Sequence, residues 1–260
     1  AGLAALAGGC AGGGQQHAGG DGVPINWPDP IQKQPVLSPG PRPGPPEISQ
    51  GPTVPPPLVQ QPPPPVGPQA GLPSGVIPRT RWTSASLKRP GNVRPMNGTA
   101  YITVHHDGMN QFFGDREDDS VRRLSSIQNA HTTRKARTGE YWADIGYHYI
   151  IDRGGRVWEG RPIQYQGAHV QDFNEHNIGV MCMGNFMLQY PTKAQTDRLD
   201  QFVAQLMRQH RITLRNVRTH QEWNPTECPG RNLQVYMART RSRGGNMALA
   251  LAQSDPALLA

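Results

Sequence analysis

Residues 141–161 read Y-W-A-D-I-G-Y-H-Y-I-I-D-R-G-G-R-V-W-E-G-R. An aromatic and β-branched run covers Tyr147 to Asp152, R-G-G-R interrupts it, and Val157 to Glu159 resumes it. Two such runs around a short glycine-containing stretch predict a β-hairpin across 141–160. Downstream, Asn177 to Cys182 (N-I-G-V-M-C) is almost continuously apolar, which suits a strand in the middle of a sheet and makes Cys182 a core residue. Upstream, Tyr101 to His106 (Y-I-T-V-H-H) predicts a further strand, and Arg215 to His220 a last one.

Helices fill the spaces between. Asp118 to Arg134 places Val121, Leu124, Ile127 and His131 at three- and four-residue steps, so His131 lies on an apolar stripe and reads as structural. Thr192 begins the next helix, with Gln195 three residues on to complete a capping box and Leu199, Phe202, Val203 and Leu206 as the buried stripe. Asn232 to Arg239 predicts a short final helix. The order of elements indicates a mixed α/β fold, a central sheet flanked by helices.

Composition sets the domain limits. Of 27 prolines, 20 fall between Pro24 and Pro78 and only six between Thr80 and Thr240. Residues 1–22 read as a signal remnant or a Gly/Ala-rich tail, and 23–78 as a disordered Pro-rich linker unable to bury enough apolar surface to offset its ordering entropy. One globular domain is expected over 79–240, followed by a frayed tail over 241–260. Trp82 is expected to pack the first segment onto that domain. The net charge of +7 resides in residues 79–240, with 22 Lys and Arg against 15 Asp and Glu. A basic domain suits an anionic polymer such as cell wall, and no nucleic-acid-binding signature accompanies the charge. Nothing calls for more than a monomer.

The three cysteines, Cys10, Cys182 and Cys228, are too few and too odd in number for a disulfide framework. The opening A-G-L-A-A-L-A-G-G-C resembles the end of a bacterial lipoprotein signal, with Cys10 as the lipid-attachment site; the alternative is a secretory leader fragment or a Gly/Ala tail. That reading expects an exported protein of the periplasm or cell envelope, anchored to the membrane through Cys10. No stretch reaches the roughly 18–20 apolar residues of a membrane span.

A separated triplet carries the chemistry: His105 in Y-I-T-V-H-H-D-G, then His220 and Cys228 in R-T-H-Q-E-W-N-P-T-E-C-P-G. Two imidazoles and a thiolate form a ligand set for Zn²⁺ that leaves a fourth position to water. A closed structural site would want four ligands, usually in close pairs, and no C-x-x-C is present. Adjacent strand residues point to opposite faces, so His105 and His106 cannot both reach one ion.

These motifs, with I-P-R-T-R-W at 77–82, G-A-H at 167–169 and N-I-G-V-M-C-M-G-N-F at 177–186, give the region from Pro78 to Arg239 a further meaning. It resembles the peptidoglycan recognition proteins and the related zinc amidases of phage-lysozyme type. The resemblance implies their mixed α/β fold and assigns the first histidine, His105, as ligand, with His106 left to packing or hydrogen bonding. It implies Tyr147 as the donor to the developing oxyanion, and Thr226 beside the ion where phage-type enzymes carry lysine. His169 and Asn174 match positions that contact the muramyl group or stem peptide. The reaction implied is zinc-dependent hydrolysis of the amide between N-acetylmuramic acid and L-alanine in peptidoglycan. The alternative is a module or wall tether that binds peptidoglycan without cutting it. Non-catalytic members typically lack the metal cysteine, which this chain retains as Cys228.

Overall fold

A computed structural model describes residues 71–136 and 139–259. Cys10, and the expected signal remnant and linker as far as residue 70, lie outside the described residues. Six strands form one mixed sheet: β1 (Val76–Ile77), β2 (Tyr101–His106), β3 (Tyr149–Ile151), β4 (Val157–Glu159), β5 (Asn177–Cys182) and β6 (Val217–Thr219), in the order β1-β4-β3-β5-β2-β6. The hairpin read from 141–160 is present, with β3 antiparallel to β4. Asp152 ties its turn: one carboxylate oxygen accepts from the Gly154 and Arg156 amides, the other from the Trp158 indole at 2.9 Å. β5 lies between β3 and β2, parallel to both and buried at every position, as its apolar run requires.

Register decides which face carries the site. His105 pairs with Met181, Met181 with Ile150, and Ile150 with Trp158, so these four side chains form one row across the sheet. Helix α1 (Glu117–Thr132) covers that face, with Leu124 and Ile127 packing among Trp82, Ile150, Trp158 and Met181. The acidic first turn of α1, Glu117 to Asp119, suits the positive end of a helix. His106, Cys182 and Tyr149 face the other side. There α2 (Lys193–His210) lies with its apolar stripe, Phe202 meeting Tyr149 edge-on at 5.0 Å. The Thr192–Gln195 capping box is formed, the Thr192 hydroxyl accepting from the Gln195 amide at 3.1 Å.

Both expected domain limits need correction. The sheet begins before residue 79, because Val76 and Ile77 pair in parallel with Val157 and Trp158. Arg79 then locks the segment down from a buried position, donating to the Gly160 carbonyl at 2.8 Å and to Asp144 at 2.6 Å. The tail over 241–260 is not frayed. After α3 (Arg231–Thr240), residues Asn246–Ala252 form α4, and Met247, Leu251 and Leu258 are buried. The run M-A-L-A-L-A is too short to stand alone, but α2 and α3 offer it an apolar surface. A buried polar node joins the three helices. Asp200 of α2 accepts from the Tyr236 hydroxyl at 2.6 Å and the Thr240 hydroxyl at 2.7 Å, and Thr240 accepts in turn from the Met247 amide at 3.0 Å.

Candidate metal centre

The ligand positions come from unlike parts of the fold. His105 is rigid: it sits near the end of a central strand and is fully buried. β6 is an edge strand of three residues, and the chain leaves it in a short 3-10 turn that begins at His220 rather than continuing the strand to that residue. The loop then closes on itself, the Gln221 amide donating to the Cys228 carbonyl at 2.9 Å. Trp223 stakes the loop to β2 by donating its indole N–H to the Thr103 hydroxyl at 2.9 Å. The Cys228–Pro229 peptide is cis.

These pieces bring the predicted triplet together. One ligand atom from each of His105, His220 and Cys228 lies within 4.8 Å of the others. The His105 and His220 rings are 4.7 Å apart between centroids, and Cys228 Sγ is 3.5 Å from His105 Nδ1. Burial depresses the pKa of both histidines, so they stand neutral with lone pairs to offer. Burial pushes the Cys228 thiol up to about 12. It keeps its proton until a cation replaces it. Two neutral imidazoles and one thiol whose ligand atoms lie within 4.8 Å of one another, with no further ligating side chain in the cluster among the described residues, fit a three-ligand zinc centre.

Tyr147 stands beside the triplet, its ring centroid 5.1 Å from that of His105. Burial, and then the neighbouring Cys228, raise its pKa, so the phenol stays protonated and can only be a hydrogen-bond donor or neutral acceptor. Thr226 is exposed and its hydroxyl oxygen accepts from the Cys228 amide at 3.3 Å, which braces the ligand's main chain and leaves the hydroxyl proton free.

The chain belongs to the N-acetylmuramoyl-L-alanine amidase family. The family model matches residues 95–231, more than half of the chain and inclusive of all three ligand candidates. Peptidoglycan-recognition protein SC2 of Drosophila melanogaster is 28% identical over 166 residues, 64% of this chain and 85% of that protein. Among solved structures, Drosophila PGRP-LB superposes with a TM-score of 0.54 at 25% identity, covering 63% of this chain and 92% of its own. Peptidoglycan recognition protein-LE, solved in complex with tracheal cytotoxin, a monomeric diaminopimelic acid-type peptidoglycan, matches with a TM-score of 0.53 at 25% identity, covering 62% and 92%.

Two of the residues expected at the substrate, His169 and Asn174, make contacts within the protein in this amidase-family chain. His169 is buried behind the centre, with Nδ1 3.0 Å from His105 Nε2 and Nε2 3.1 Å from the Asn177 carbonyl oxygen, so both ring nitrogens are engaged inside the protein. Asn174 spends its side-chain oxygen on the amides of His169 at 2.8 Å and Val170 at 3.0 Å, folding the loop that carries His169. His106 acts as the sequence indicates, its Nδ1 accepting from the Phe186 amide at 3.2 Å. His131 accepts from the Gly146 amide at 2.9 Å and also lies 5.4 Å from the Tyr147 ring, so this structural histidine backs the site.

Sequence reasoning passed over Glu222 and Arg241. Glu222 lies in the turn that starts at His220, accepts from the Thr219 amide at 2.7 Å and is gripped by Arg241 from the end of α3. Glu222 stands two residues from His220 in a motif already singled out, but its partner lay in the stretch read as tail.

Proposed function

We propose that the protein is a zinc-dependent N-acetylmuramoyl-L-alanine amidase that hydrolyses the amide between the lactyl group of N-acetylmuramic acid and the first L-alanine of the peptidoglycan stem peptide. The observation that carries this reading is the convergence of His105, His220 and Cys228 within 4.8 Å, with a protonated Tyr147 alongside. Zinc bound there would supply Lewis acidity, polarising a carbonyl and lowering the pKa of water from 15.7 to about 7.

The chain's own groups supply the rest. Tyr147 offers its O–H to the oxygen that becomes negative as the amide carbon turns tetrahedral. The site is enclosed on that side, because Tyr147 is 9% exposed and the row behind it is packed by α1, and a donor acts most strongly where water is excluded. Thr226, at the exposed rim, positions water or steadies the transition state through its hydroxyl. It carries no positive charge and is a weaker proton carrier than the lysine of phage-type enzymes, which bears on rate rather than on the reaction. The complex of the similar protein-LE with a peptidoglycan fragment supports peptidoglycan as the partner.

The second reading, a module that holds peptidoglycan without cutting it, draws on relatives named for recognition. Retention of Cys228 and Tyr147 together weighs for the enzyme. The test is release of stem peptide with a new amino-terminal alanine from purified sacculi, by wild type and Cys228→Ser, with and without chelator. Release that stops with chelator, returns with zinc and is absent from the variant is the expected result. Zinc-loaded wild type that pulls down cell wall but releases nothing would sink the amidase reading in favour of the recognition module.

A further inference from the structure

We propose that His169 is a positioning residue for the metal centre: it holds the His105 imidazole in the tautomer that turns a bare Nδ1 toward Cys228 and His220, and so sets the centre's affinity for zinc. The inference rests on the reading of those three residues as ligands. It assigns His169 a role behind the ion rather than against the substrate.

The argument follows the protons. The Asn177 carbonyl can only accept a hydrogen bond, so His169 Nε2, 3.1 Å away, carries a proton. His169 Nδ1 and His105 Nε2 face each other at 3.0 Å, a gap that holds a single proton. Were that proton on Nδ1, His169 would be a buried imidazolium, and no carboxylate pairs with it among the described residues. An unpaired buried charge is the costlier arrangement. The proton therefore sits on His105 Nε2, which donates to His169. The neutral His105 ring then has its lone pair on Nδ1, the atom 3.5 Å from Cys228 Sγ. A main-chain carbonyl thus dictates, through two rings, which nitrogen of the buried ligand faces the ion.

A second feature fixes the ring's orientation. His169 lies in a slot that only glycine leaves open. A Cβ on Gly179 would come 2.7 Å from the ring's Cδ2, and one on Gly167 would come closer still. Gly179 is the register partner of Thr103, two residues before His105, so the slot is cut into the sheet beside the ligand strand. With the His169 amide held by Asn174, the ring is set before any ion arrives.

The experiment has two readouts, neither of them activity. Long-range proton–nitrogen correlation spectra of ¹⁵N-labelled, metal-free protein at neutral pH should show His105 protonated at Nε2 and bare at Nδ1. Zinc dissociation constants by chelator competition should then be compared for wild type, His169→Ala and His169→Asn. The alanine variant should bind zinc about 10- to 100-fold more weakly. The asparagine variant, whose Oδ1 stands near the place of Nδ1 and accepts the same proton, should recover most of the loss. A His105 protonated at Nδ1 in the wild type would overturn the proposal, as would a folded His169→Ala that binds zinc within about twofold of wild type. If the alanine variant does not fold, the wild-type spectrum and the asparagine variant decide. A wild type that binds zinc but releases no stem peptide defeats the amidase reading and leaves this one standing.

Discussion

Arg241 grips Glu222 with both arms of its guanidinium, Nη1 donating to one carboxylate oxygen at 2.9 Å and Nη2 to the other at 2.6 Å. Nη1 also donates to the Val217 carbonyl at 2.6 Å, so one side chain registers the His220 turn against the strand that delivers it. The edge strand β6 is only three residues long, so a two-pronged, partly buried ion pair matters here more than on an open surface. Arg241→Ala should lower stability by about 1–2 kcal/mol and weaken zinc retention several-fold. Lysine cannot form the fork, so Arg241→Lys should restore little of either. Calorimetry with chelator titration measures both; a variant with unaltered zinc affinity would confine Arg241 to a purely structural part.

Tyr147 permits a narrow test of catalysis. Tyr147→Phe removes one hydroxyl from a ring that keeps its contacts with His105 and His131. Loss of a single oxyanion donor costs roughly 100- to 1,000-fold in rate. Stem-peptide release should fall by that order while zinc content stays at one per chain. A fall of less than about threefold would remove Tyr147 from the chemistry.

The buried histidines make the metal-free fold acid-sensitive. Burial lowers the pKa of His106 and His148 to about 4 and that of His131 to about 3, against 6.5 in the unfolded chain. Below pH 6.5 the unfolded state therefore takes up protons that the fold refuses. Stability is fully present above 6.5 and declines as pH falls toward 4, by about 1.4 kcal/mol per unit per histidine. Asp200 runs the other way. Burial raises it from 3.8 to about 6, so its contribution is present below 3.8 and lost as pH rises through 6. Three histidines outweigh one carboxylate. The urea midpoint in chelator should fall steadily from pH 6.5 to 4.5, and a flat profile would contradict the burial of these rings.

The C-terminal helix is expected to be integral to stability. Met247 and Leu251 are fully buried against α2 and α3. Leu251→Ala should cost about 2–4 kcal/mol through lost burial and the cavity left behind. Deletion of 246–260 would bare the same surface and remove the Met247 amide from Thr240. Thermal unfolding of both variants is the check; a deletion as stable as wild type would return the segment to the status of a tail.

The hairpin, the buried strand β5, the capped helix α2 and the triplet were all legible along the chain because each depends on local physics. Strand runs alternate or saturate with apolar residues, capping needs only Thr192 and Gln195, and zinc chemistry selects its ligands by type. What the linear chain could not disclose depends on distant partners. His169 matched a groove position by resemblance, and only the sheet disclosed its Nδ1 3.0 Å from His105 Nε2. Glu222 drew no reading of its own, because its partner Arg241 reaches it only from the end of α3. Residues 246–252 looked too small to fold because their apolar face is stabilised only by burial against α2 and α3, a surface that exists once those helices have packed. Sequence determined which residues could hold a metal and which segments could pair. Tertiary structure alone decided which nitrogen of His105 is free to hold it, because a tautomer is chosen by the neighbour across the hydrogen bond and not by the residue itself.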